Sequence, residues 1–290
     1  MRLFAAEVLK LRRRWATYVL EAILLGLMVL VFFLVGITPR GTSGFGGASP
    51  FTFPGVYGVI NQFVFGLGSL LAVAFAGAVG GADFTWGVFR VIVARGESRT
   101  RYLMTKFAAI VLFVFLGVVV AFVVGILLTY LVAAMQGISA GSPFAGSAPN
   151  DLLRSFAFGM PVIIERVAIG FAVAVVLRSQ IAGIVAGIVL QIGEGLIQVI
   201  ILATTFASQA AQTGTLAPIG PEWFQFLPFA IGDAVLAEAP GVGGGGGDGP
   251  GPGLLLRDVP LDTALIVTAI YLVAALLISV IRVERSEITT

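Results

Sequence analysis

The chain contains no cysteine and no histidine. Without cysteine there are no disulfides and no thiolate metal sites. Without histidine the commonest metal ligand and the usual neutral-pH general base are missing. Charge is also scarce, at 11% of 290 residues, where a soluble domain carries about 25%. No G-x-x-x-x-G-K-[ST] run is present. Neither lysine, Lys10 or Lys106, follows a glycine, and the pentaglycine at 243–247 has no lysine or hydroxyl after it. A phosphate-cradling loop needs both. The serines lie in no G-x-S-x-G elbow, the strand-to-helix turn that would expose a nucleophile. ATP hydrolysis, metal-dependent hydrolysis and serine-based acyl transfer are therefore not expected of this chain by itself.

What fills the sequence is apolar, at 58% of residues. A bilayer core takes about 20 apolar residues per helix. Stretches of that order occur at 17–37, 56–82, 107–135, 156–177, 181–204 and 263–281. They predict an all-α polytopic membrane protein, a single transmembrane domain over 1–290 with six spans. Residues 2–15 precede them. Phe4, Val8, Leu11 and Trp15 share one helical face, with Lys10, Arg13 and Arg14 away from it. That pattern predicts an amphipathic helix on the inner membrane surface, its cations near anionic lipid. The charges run through to Arg14 with no cleavage site after the next apolar run, so this is not read as a signal peptide.

The basic residues orient the chain. Five lie in 2–14 and five in 90–106, joined by Arg178, Arg282 and Arg285. Arg40, Arg154 and Arg257 fall in the opposite loops. Basic loops stay cytoplasmic, which puts both termini inside a cell membrane.

Polar residues inside the spans are the candidate functional positions. Glu21 sits early in the first span. The second holds Asn61, Gln62 and many small residues, which let helices approach closely. It is assigned to the bundle interior or a subunit interface. The fourth carries Glu165 and Arg166 near its middle, where charge is expensive unless paired. Neighbours on a helix do not face each other, so their partners are expected on other helices. Either this span tilts and enters near Phe156, or 152–160 lies on the outer surface and Pro161 begins the span. Gln191, Glu194 and Gln198 share one face of the fifth span. They form a polar stripe along a substrate path or dimer axis, or a structural stripe between helices. Residues 38–54 and 136–151 read as outer loops. So does 205–260, within which 219–236 carries Trp223, Phe224, Phe226 and Pro228, suited to an outer interfacial segment. The glycine run at 241–253 reads as a flexible tether.

Between the second and third spans lies DFTWGVFRVIVARGESRTRYLMTK, residues 83–106. Asp83 can cap a helix start and Gly96 can end one, predicting a short helix over 83–95. Arg90, Arg95, Arg99, Arg101 and Lys106 make the stretch basic. Phe84, Trp86, Phe89 and Ile92 are more apolar than a solvated linker requires. It is a positive-inside loop, or a helix pressed against something.

An acid, a glycine, an apolar-Arg step, ARG-x-SR and Tyr-Leu-x-x-Lys entering a span follow one another here. This resembles the same loop in permease subunits of the type-2 ABC exporter family, at Asp83, Gly87, Arg90, Arg95, Ser98, Arg99 and Lys106. The family more often has Thr where this chain has Val88. Glu7, Lys10 and Arg13 match its E-x-x-K-x-x-R interfacial helix. Trp223, Leu227 and Pro228 match its outer W-x-x-x-LP segment, and the resemblance implies short re-entrant or interfacial helices there that dip into the outer leaflet. The resemblance covers nearly the whole chain and implies a type V exporter-like architecture. It further implies a coupling helix at 83–95 that docks on a separate ATPase. Asp83, Phe84, Trp86, Gly87, Phe89, Arg90, Arg95 and Arg99 would make that contact. Two ATPase copies, holding ATP and magnesium, would pair with two permease chains, identical or related. The cofactors would sit on the partner, and no nucleic acid is implied. Two other readings stand beside it: an ion-coupled secondary transporter using Glu165, Arg166 and Glu194, and a membrane anchor that moves nothing.

Overall fold

A computed structural model describes residues 2–38, 51–89, 91, 96, 98–210, 222–242 and 259–285. Arg40, Arg90, Ile92, Arg95, Arg257 and the glycine run from 243 onward lie outside the described residues. The described residues are helical and contain no strand. Among the described residues six helices are long and apolar enough to cross a membrane.

In chain order, α1 is Arg2–Arg12 and α2 is Trp15–Ile37. The composite α3 covers Val56–Thr85, with a π-helical turn at Gln62–Leu67. Next come α4 (Arg99–Gln136), α5 (Ala148–Leu177) and α6 (Gln180–Ala210). A 3-10 turn at Glu222–Phe226 leads into α7 (Pro228–Leu236), and α8 (Leu261–Glu284) closes the chain. The long helices follow from apolar runs in which every backbone N–H and C=O must be satisfied within the segment.

Several boundaries differ from those expected. Ser98 caps α4, its hydroxyl accepting from the Arg101 N–H, so the third long helix starts well before Phe107. The fourth is one helix from Ala148 that passes straight through Pro161, and no separate surface segment exists at 152–160. Trp15 is not part of α1: the chain breaks after Arg12, and Trp15 opens α2 at 84% exposure.

The interior helix is α3. Of its most apolar window 72% is buried, against 11% for α6 and 22% for α2 and α8. Small residues make this possible. A Cβ on Gly77 would stand 2.8 Å from the Gly183 carbonyl carbon, and one on Gly170 2.8 Å from the Val73 carbonyl oxygen. Thus α3 packs backbone to backbone on α5 and α6. Among its largest fully buried side chains are Tyr57, Phe65 and Ile60. The second span therefore belongs to the bundle interior, one of its two expected places.

Candidate functional site

Two polar networks are built into this apolar bundle, one at the α1 end and one near mid-bundle. The first centres on Asp83. Its carboxylate is 2% exposed and lies in the last turns of α3. It accepts from Lys10 Nζ of α1 at 2.6 Å. It also accepts from Tyr102 Oη and Lys106 Nζ of α4. Lys10 in turn meets Glu7 at 3.6 Å. One carboxylate thus ties three helices at a single point. A buried charge that is paired and hydrogen-bonded is tolerated, whereas an unpaired one is not.

This arrangement corrects the start expected for the helix of 83–95: Val88, Phe89 and Val91 are helical, as expected, but Asp83 belongs to α3. Asp83 starts no helix, because α3 continues to Thr85 and the Trp86 N–H still bonds to the Ala82 carbonyl. Nor is its side chain at the surface, where a docking contact would need it. The positions around it divide by exposure. Phe89 is 7% exposed and packs on Phe84, 4.9 Å between centroids, and on Tyr102. Gly87 turns the chain with a φ of 68°, a conformation glycine adopts at little cost. Trp86 is 73% exposed, and it is the aromatic that reaches outward. Arg99 is engaged as well, donating to the Val283 and Glu284 carbonyls at 3.1 and 3.2 Å. A cation there offsets the negative end of α8. Thr100 adds a bond to the Glu284 carboxylate at 2.6 Å. Lys10, expected near lipid headgroups, is likewise held by carboxylates because its helix lies against α4.

The second network centres on Arg166, 3% exposed. Nη1 donates to the Phe65 carbonyl at 3.2 Å and to Ser69 Oγ at 2.8 Å. Nη2 donates to the Phe229 carbonyl at 3.3 Å and to Asp233 Oδ1 at 2.5 Å. Arg166 therefore joins α5 to α3 beside its π-helical turn, and to α7. Such turns widen a helix locally and occur often at functional sites. Gln191 of α6 donates to the same Ser69 hydroxyl at 2.9 Å. Glu194 accepts from the Ala230 N–H of α7 at 2.6 Å. A carboxylate from another helix thus caps α7, where unpaired N–H groups and the helix dipole favour negative charge. Gln198, one turn further along, is half-buried.

The segment before α8 is consequently packed into the bundle against α5 and α6. Arg166 is 11 residues from the Leu177 end of α5, about 16 Å at the helical rise, and α7 reaches down to it. Phe224 is 3% exposed, while Trp223 and Phe226 are 60% and 38% exposed. Half-buried Pro228 starts α7. Above α7, Arg154 pairs with Glu238 at 3.7 Å, and Asn61 donates to the Pro240 carbonyl at 3.0 Å. The start of the glycine run is packed too, since Gly241 lies against Gly58 backbone to backbone.

Glu165 stands apart. It is fully buried, and neither carboxylate oxygen has a hydrogen-bond partner. Its electrostatic neighbours are Arg166, Glu194 and Asp233. Among the described residues no group of acidic side chains is placed to hold a metal ion.

The residues not singled out in advance are Asp233 and Ser69. Asp233 had a visible signal, one acid within the apolar run PFAIGDAVL. Ser69 had none, because its partner lies 97 residues away. Tyr102 was noted only as the tyrosine of Tyr-Leu-x-x-Lys, not as a donor to Asp83, 19 residues earlier.

The class that fold and networks define is an all-helical chain with six candidate membrane spans, an interior α3 and an inserted short helix. The chain belongs to the family described as Protein of unknown function (DUF2705), whose model matches residues 44–289. Comparison with curated proteins and with solved structures returns no match.

Proposed function

We propose that this chain is the membrane-spanning permease subunit of an ABC exporter, driven by ATP hydrolysis on a separate ATPase. The observation carrying this reading is the Asp83 network. The loop between α3 and α4 begins three residues after a buried ionic joint that ties α1, α3 and α4. A force on the exposed Trp86 would pass into all three helices at once. Arg101, also exposed, adds the positive charge an acidic docking groove would accept. Two ATPase copies would bind here, carrying ATP and magnesium, with both chain termini on the same cytoplasmic side of a bacterial or archaeal inner membrane. A second permease chain, identical or related, would pack on the least covered helix, α6. The Arg166 network would lie beside the translocation path of a lipophilic or amphiphilic substrate.

The test is co-expression with a candidate ATPase, then pull-down and ATPase assay. Trp86→Glu with Arg101→Glu is expected to abolish co-purification while the chain still reaches the membrane. Binding that survives would sink the docking assignment. Glu165, buried and unpartnered, favours a second reading as an ion-coupled transporter. That reading predicts transport that follows an imposed ion gradient without any ATPase and is lost in Glu165→Gln.

A further inference from the structure

A cavity of about 370 Å³ lies between α2, α3 and α4, away from both networks. Drug-sized ligands occupy pockets of roughly 300–1,000 Å³. Its walls are almost wholly apolar, including Leu24, Val64, Phe75 and Phe113. Thr17 and Tyr18 line one end, and Glu21 is the one ionisable carboxylate in the lining. Oε1 of Glu21 is buried and has no hydrogen-bond partner. The carboxylate fits because residue 117 is glycine: a Cβ there would stand 2.7 Å from Glu21 Oε2. Lys10 and Lys106 are taken by Asp83, and neither lines the cavity.

A carboxylate oxygen left without a donor in apolar surroundings is unfavourable unless a cation pairs with the group or it takes up a proton. Among the described residues no cation forms an ion pair with Glu21. Three lining residues, Tyr18, Leu116 and Val120, are also 53%, 47% and 45% exposed on the outside of the bundle. The cavity can thus be reached from the surrounding apolar phase.

We infer that this cavity is a binding site for a lipophilic organic cation, with the cationic head at Glu21 and the apolar body against the walls of α3 and α4. The inference stands independently of any ATPase, because the carboxylate and the walls all belong to this chain. It separates cations from anions of the same shape, since an anion would meet Glu21 as a like charge.

The test uses purified full-length protein in detergent, with empty micelles as reference. Tritiated tetraphenylphosphonium is the probe in equilibrium dialysis, and radiolabelled tetraphenylborate, the anion of matching shape, is dialysed in a separate experiment. Saturable binding of the phosphonium is expected, with no saturable binding of the borate. Glu21→Gln is expected to weaken binding at least tenfold. Val120→Trp, which narrows the cavity from an exposed wall position, is expected to weaken it as much while leaving the elution profile unchanged. Uptake no greater than that of empty micelles overturns the site. Saturable binding of the borate with equal affinity overturns the role of Glu21. Wild-type affinity in both variants overturns the placement. If Glu21→Gln does not fold, the wild-type selectivity and Val120→Trp decide the question.

Discussion

Replacing Asp83 by alanine tests the α1-end joint most directly. The substitution removes the acceptor shared by Lys10, Tyr102 and Lys106. Lys106 is 2% exposed, so its ammonium would remain buried without a counter-charge. Breaking a buried pair in this way costs about 3–5 kcal/mol. At roughly 2–4 °C per kcal/mol for a chain of this size class, the midpoint of thermal unfolding should fall on the order of 10 °C. The compensating change is Lys106→Met. Removing both charges takes away the desolvation penalty with the attraction. What remains is the Tyr102 hydroxyl without its acceptor, worth about 1–3 kcal/mol. Lys10 retains Glu7. The double variant should therefore recover more than half of the loss. The assay is intrinsic-fluorescence unfolding in detergent, with Asp262→Ala as control. Asp262 is exposed, and its loss should change stability by no more than about 0.5 kcal/mol. A shift below 2 °C for Asp83→Ala, or no rescue by Lys106→Met, would refute the argument that the joint holds three helices together.

Arg166→Met should loosen α7. Since the chain has no native thiol, a cysteine at Ala237 gives one labelling site, and its maleimide rate should rise several-fold in the variant. An unchanged rate would mean that α7 is held by packing alone. Glu194→Gln keeps an acceptor for the Ala230 N–H and should change little, whereas Glu194→Leu should lose a cap worth about 1 kcal/mol, read as a drop in unfolding midpoint. Gly77→Ala places a methyl group 2.8 Å from the Gly183 carbonyl carbon and should cost about 1–3 kcal/mol by overpacking. Gly66→Ala meets nothing within 4 Å and should be neutral in the same size-exclusion and unfolding assays.

The helices were legible because bilayer-length apolar runs announce themselves locally. The stripe of small residues in 56–82 likewise pointed to an interior helix, and 38 glycines in the chain leave room for such packing. The pairing of charges was not legible. Asp83 followed by aromatics reads as a helix start, yet its cations sit 73 and 23 residues away. Arg166 demanded a partner, but the sequence did not say that the partner was Asp233, 67 residues on. The W-x-x-x-LP match at Trp223, Leu227 and Pro228 pointed to a dipping or interfacial segment, but nothing local told the two apart or named Arg166 and Glu194 as the side chains that hold 228–236. Charge positions were visible, whereas their contacts depend on which helices are neighbours.

The length of α4 has a mechanical consequence. Its 38 residues extend about 57 Å at the helical rise. The uncharged stretch 107–135 alone is 29 residues, about 43 Å, against a hydrocarbon core of about 30 Å. Such a helix must lean, or carry part of its apolar length into the headgroup zone. Its angle then becomes a gauge of local thickness. Thicker bilayers should stand α4 upright and thinner ones should lay it over, turning its Lys106 end about the Asp83 joint.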